Sequence, residues 1–230
     1  MPIVGGATWR GRAGPVVGYV RAGPVTATYL LVLLASHVWL HQVSGARRHR
    51  VLETVSTNDV NLRDHPIRAL AGSLLFFDGT LTRVDTQLFV GTVITLGFGV
   101  AGALWWWEKH AGALRAYAIF LTGHVVATLF TWLVIRHAVA TGRYPESVRT
   151  TLDYGISYGA EAMLAACTVV ITGARRWLWL AAVLSWPLAA ATWFGTLPDF
   201  TTVGHLTAAG VGLLLGVVLR PRPDRRSPMA

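Results

Sequence analysis

The chain has one cysteine, Cys167, and one lysine, Lys109, in 230 residues. A single thiol excludes an internal disulfide and a metal site built from several thiolates; inside an apolar run, Cys167 reads as a core residue. Charge is sparse as well, 13% charged residues against 53% hydrophobic ones, a balance that excludes an ordinary soluble domain and puts the chain in a membrane. Acidic residues number 11 against 20 basic ones. The basic excess lies mostly between apolar runs and at the two ends, so headgroups and topology account for it and no nucleic acid is called for. No internal repeat is evident, and only the tail from Pro221 onward reads as disordered. The preference for arginine and alanine over lysine is that of high-GC bacterial coding.

What is present is a series of apolar runs. Six are long enough to cross a hydrocarbon core of roughly 30 Å, at 24–41, 87–107, 113–135, 155–173, 177–194 and 202–219. The first follows Arg10, Arg12 and Arg21 in the manner of a signal peptide, but it is long and has no clear small-residue cleavage site, so it reads as a retained anchor. Short turns separate most of the others. Two loops are longer, 42–86 and 136–154, and within the first His65–Phe77 has the mixed character of a helix lying on the membrane surface. The expected organisation is a cytoplasmic tail over 1–23, a membrane domain over 24–219 and a basic cytoplasmic tail over 220–230. An even number of spans puts both ends on one side, and the arginines at 10, 12, 21, 220, 222, 225 and 226 make that side the cytoplasm. Trp105–Trp107, Trp177, Trp179 and Trp193 mark span ends.

Polar groups inside lipid need partners and therefore tend to mark function. Gly155-Ile156-Ser157-Tyr158-Gly159 opens the fourth run, and Gly204-His205, followed by Ala208, Gly212 and Gly216, opens the sixth. Both runs head the same way, so Ser157 and His205 are expected at one depth, about one turn below the outer surface. Gly155 and Gly159 on one helix and Ala208, Gly212 and Gly216 on the other supply small-residue faces for close approach. A serine becomes a nucleophile when a neutral imidazole takes its proton, and unpaired N–H groups in a first helical turn can hold the oxyanion. Taken singly, each residue also reads as a polar contact between helices.

Six spans, a long first loop, Gly-x-Ser at the start of the fourth span and His-x-x-Ala-x-x-x-Gly at the start of the sixth resemble the rhomboid intramembrane serine proteases, in a divergent bacterial branch of actinobacterial type. The resemblance covers residues 24–219, and the Trp-rich end of span two followed by Glu108 is similar too. It implies an all-α, six-helix rhomboid-like bundle with an interfacial first loop, in the bacterial plasma membrane. It also implies a Ser157–His205 catalytic dyad open to the extracytoplasmic side, lateral substrate entry gated by the fifth span, and no cofactor or metal. The implied partners are the bilayer and a transmembrane protein substrate, or a client if the member is inactive.

The chain departs from that pattern at three places. Tyr158 stands where the family has a glycine, span two lacks the family's His and Asn and offers only Thr92 and Thr95, and Glu161 replaces a tyrosine that stacks on the histidine. Glu161, four residues after Ser157 on the same helical face, has two readings: a carboxylate that orients His205, or one satisfying a neighbouring helix. His124 in the third span is either a substitute oxyanion donor or an interhelical hydrogen bond. Asp153 is placed to cap the fourth helix, and Pro187 to kink the fifth. A third functional class, a haem or quinone protein, would draw on His37, His41, His124 and His137.

Overall fold

The computed structural model describes residues 14–221. Arg10, Arg12, Arg222, Arg225 and Arg226, and most of both expected tails, lie outside the described residues. A short helix α1 (Pro15–Ala22) leads through Gly23 into α2 (Pro24–Gln42). Gly23 is needed because a Cβ there would meet the Trp105 indole at 2.4 Å. The first turn of α2 is capped from a distance: the Val25 and Thr26 N–H groups donate to the two carboxylate oxygens of buried Glu108, at 2.9 and 2.7 Å. A carboxylate at a helix N-terminus complements both the unpaired donors and the dipole.

The long first loop folds into three short helices, α3 (Gly45–Val55), α4 (Asp59–Asp64) and α5 (Pro66–Ser73). The surface helix expected over residues 65–77 is therefore shorter. It shows Ile67 at 82% exposure and buries Ala69 and Ser73, as suits an interfacial helix. Asp59 ties this loop to the bundle, accepting from Trp132 Nε1 at 2.7 Å and from Arg149 at 3.0 Å.

The second long helix, Gln87–Ala111, is continuous but not uniform. It runs as α6 (Gln87–Thr92), a π-helical stretch Val93–Leu104 and α7 (Trp105–Ala111). Gly97, Gly99 and Gly102 lie in the wide stretch, where the α conformation has least intrinsic support. Gly112, at φ 88°, turns the chain into α8 (Ala113–Ala140). A 3-10 turn at Glu146–Thr150 follows, then α9 (Ser157–Cys167) and α10 (Arg175–Ala189). A two-residue hairpin, β1 (Trp193–Phe194) against β2 (Leu197–Pro198), precedes α11 (Phe200–Leu219).

Among the described residues, four helices are long and apolar enough to cross a membrane: Pro24–Gln42, Gln87–Ala111, Ala113–Ala140 and Phe200–Leu219. The fourth and fifth expected spans coincide with α9 and α10, which have 11 and 15 residues and so reach about 16 and 22 Å. Residues 168–173 form turns in place of the last part of the fourth span. The short α9 is the centre of the bundle. Tyr158 through Ala166 are all buried, packed against α8, α11 and the π-helical stretch. A helix apolar all round is one enclosed on every side.

Candidate active site

The backbone delivers Ser157 to the start of α9 through Gly155, whose φ of 122° is open essentially to glycine alone. A Cβ at Gly155 would also lie 3.4 Å from the Asp78 nitrogen, so the first loop closes directly over this turn. Ser157 is the first residue of α9, and no side chain caps that helix. The N–H groups of the first turn have no acceptor in the preceding turn of a helix, which makes them available to a developing oxyanion.

Asp153 does not take the expected capping role, because the helix begins four residues later, beyond its reach. Its carboxylate instead accepts from Thr57 Oγ1 at 3.0 Å, and its own N–H donates to Ser56 Oγ at 2.9 Å. The residue ties the first loop to the segment that carries Ser157. Burial, with the Asp78 charge adding to it and the Thr57 hydroxyl opposing, raises its pKa from 3.8 to about 6.

His205 is the sixth residue of α11, a helix whose start is fixed by Asp199. That carboxylate accepts from the Thr202 and Thr192 N–H groups at 3.1 and 2.8 Å and from the Thr201 hydroxyl. Five residues place His205 about 7.5 Å below the first residue of α11. Ser157 stands at the head of a shorter helix, after residues 151–156, which have no helical structure. The two therefore sit at different positions in their helices, not equally far into two full spans.

Ser157 and His205 line the same cavity, of about 560 Å³. His205 is buried and its Nε2 has no hydrogen-bond partner, so no Ser157–His205 hydrogen bond is made in this structure. The imidazole is held edge-on between two aromatic rings, Tyr158 at 5.1 Å and 77° and Trp186 at 5.4 Å and 67° between centroids and planes. Neither ring was singled out from the sequence as a neighbour of the histidine. Tyr158, the departure beside the serine, is accommodated by Gly204, where a Cβ would lie 2.3 Å from its ring. The large side chain on one helix and the bare backbone before His205 on the other form one complementary pair.

The remaining expected residues separate. Glu161 is buried, and its Oε2 accepts from Trp186 Nε1 at 3.0 Å. It thus binds the ring that covers His205, while the direct carboxylate–imidazole contact is not made. His124 is 3.1 Å from Ser73 Oγ through Nε2, an interhelical bond to α5, and its ring centroid is 6.5 Å from that of Tyr158. Gly159 does not belong to the α9–α11 contact as the small-residue pattern suggested. A Cβ there would strike the Phe120 ring of α8 at 2.8 Å. The close approach of α9 and α11 comes from Gly212 and Gly216, whose added Cβ atoms would lie 2.0 Å from the Ala162 carbonyl oxygen and 3.0 Å from Ala166 Cα. Ala208 is fully buried.

From the second long helix, Thr95 and Gln87 line the cavity, whereas Thr92 is committed to the Thr80 N–H and the Leu88 carbonyl. His37 stacks on Phe77 beside His41, far in connectivity from the His124–Ser73 bond, and His137 is exposed. Among the described residues no three His, Cys, Asp or Glu side chains converge as metal ligands.

A helical membrane bundle with a short, enclosed central helix, and with a serine and a buried histidine in one cavity, has the form of an intramembrane-protease-like fold. Residues 18–225 match the family described as rhomboid-like protein, and the chain belongs to that family. Among curated proteins and among solved structures, nothing matches the chain.

Proposed function

We propose that this rhomboid-like protein is an intramembrane serine protease. Ser157 attacks a peptide carbonyl of a transmembrane substrate, and His205 takes its proton through Nε2 and returns it to the leaving amine. Supporting this reading is a single observation: a buried imidazole with an unpartnered Nε2 lines the same cavity as a serine at an uncapped helix start. The Ser157–His205 hydrogen bond is open in this structure, as catalytic contacts commonly are before substrate arrives. The first-turn N–H groups of α9 and the Thr95 hydroxyl are the donors suited to the oxyanion. The substrate has to unwind locally, because a hydrogen-bonded helix hides its carbonyls. The setting that goes with this reading is a bacterial plasma membrane with both termini cytoplasmic and the cavity on the extracytoplasmic side.

A second reading, a silent member of the family that binds transmembrane segments, is favoured by the open Ser157–His205 pair. Labelling with a fluorophosphonate in native-like membranes separates the two. The protease reading expects labelling that is lost in both Ser157→Ala and His205→Ala. A folded wild-type protein that stays unlabelled and cuts no helical substrate leaves the silent reading in its place.

A further inference from the structure

The cavity that holds Ser157 and His205 is charged with one sign only. Two carboxylates border it, Asp78 from the end of the first loop and Asp153 from the segment leading into α9, and no lysine or arginine is among its lining residues. The acidic pair is not neutralised elsewhere. Neither residue forms an ion pair among the described residues. Asp78 is exposed and takes one hydrogen bond, from Tyr154 OH to Oδ1 at 3.2 Å. The Asp153 carboxylate accepts the Thr57 hydroxyl at 3.0 Å. Arg48 acts on Tyr154 but bonds to neither acid. Burial pushes Asp153 up to about 6, and the nearby Asp78 charge adds a smaller push in the same direction.

An acidic rim alone would be an ordinary solvated surface. Here it lines the same cavity as Ser157 and His205, a residue more than nine-tenths buried whose Nε2 has no hydrogen-bond partner, so the same cavity has a reactive end and a charged end. We infer that the preferred substrate carries a lysine or arginine side chain beside the bond presented to Ser157, seated against Asp78 and Asp153. This rests on the protease reading for the cleavage step, though not for the binding preference. The four-residue offset between Asp153 and Ser157 sets the reach. At no more than about 3.5 Å per extended residue, the cation lies within about four residues of the scissile bond. Basic residues are scarcer in extracytoplasmic than in cytoplasmic loops, so such a requirement discriminates among membrane proteins. A glutamate at the same place meets like charge and is rejected.

The test uses three single-span peptides that differ only in a Lys, Gln or Glu at that position. The full chain is placed in neutral phosphatidylcholine nanodiscs so that lipid charge plays no part. Cleavage is followed with the wild type, and photo-crosslinked capture with Ser157→Ala. The expected order is Lys, then Gln, then Glu in both readouts, with a Lys-to-Glu ratio on the order of tenfold that shrinks at high salt. Asp78→Asn should reduce the ratio and Asp78→Lys should reverse it; Asp78 is exposed, so both changes leave the core intact. Cleavage with no charge preference overturns the inference and leaves the protease reading standing. A Lys preference in capture without any cleavage by the wild type overturns the protease reading and leaves the inference standing. Equal capture of the three peptides, or capture of none by the folded protein, overturns the inference.

Discussion

The central helix α9 meets α11 on one side and α10 on another, and the two contacts are built in opposite ways. Against α11 the backbones touch, since a Cβ at Gly212 would fall 2.0 Å from the Ala162 oxygen. Against α10 the link is made by long side chains: Trp179 Nε1 donates to the Leu164 carbonyl at 2.8 Å and Trp186 Nε1 to Glu161 at 3.0 Å. The far face of α10 is bare, with Trp177 at 61% and Leu178 at 74% exposure, as befits a helix at the lipid boundary. Ser157 and His205 stand on the rigid contact, whereas the indole covering His205 stands on the one that side-chain rotation can release. The Ser157–His205 pair is thus fixed in place while part of its cover is separable from it.

The contrast can be broken most severely at Gly212. Gly212→Val forces apart α9 and α11, with backbone atoms that cannot yield. Overpacking costs typically about 1–3 kcal/mol and more where backbone is struck, and thermal unfolding of the purified protein should show the largest loss in this series. Gly204→Ala tests the complementary pair next to the histidine. Its Cβ strikes the Tyr158 ring, a side chain that can shift, so fluorophosphonate labelling should fall much more than Tm.

A smaller effect is expected on the α10 side. Glu161→Leu removes the acceptor of Trp186 Nε1, a loss of about 1–3 kcal/mol for a buried donor left unpaired. Amide hydrogen exchange should then accelerate over 175–189 with little change in α11, while Glu161→Gln, which keeps an acceptor oxygen, stays close to wild type. Equal acceleration in both helices would mean that the two contacts are not independent. The smallest effect belongs to the loop clasp. Asp153 has its pKa raised from 3.8 to about 6 in the folded protein, so the native state holds the proton more tightly than the unfolded chain. Its contribution to stability is full below the unfolded pKa and declines as pH rises through about 6. Stability measured across that interval should decline in the wild type and be flatter in Asp153→Asn.

Much of the fold could be read from residue patterns because long apolar runs have few solutions in lipid, where every backbone group has to be satisfied within the segment. The helices α2, Gln87–Ala111, α8 and α11 all cover their expected spans. The fourth span reads longer than α9 because Thr168-Val169-Val170-Ile171 continues the apolar run, and apolar character does not reveal where helical geometry stops. The cavity residues were legible only in part. Ser157 and His205 stand out as polar residues at the mouths of apolar runs, and the same cue drew attention to Glu161 and His124. Trp186 and Tyr158 carried no such cue, since an aromatic residue in a membrane helix is ordinary, and their significance depends on which ring they face.

Composition and hydropathy by themselves determined that this is a helical membrane protein, and the Gly-x-Ser and Gly-His motifs marked the two residues that share its cavity. Only the tertiary structure decided how they are surrounded: Tyr158 seated on Gly204, Trp186 held over His205 by Glu161, His124 turned to Ser73, and Asp78 and Asp153 at the cavity rim. The reason is physical. Burial in lipid is a property of each segment along the chain, whereas the partner of a polar or aromatic side chain is chosen by distances between helices, which no single segment encodes.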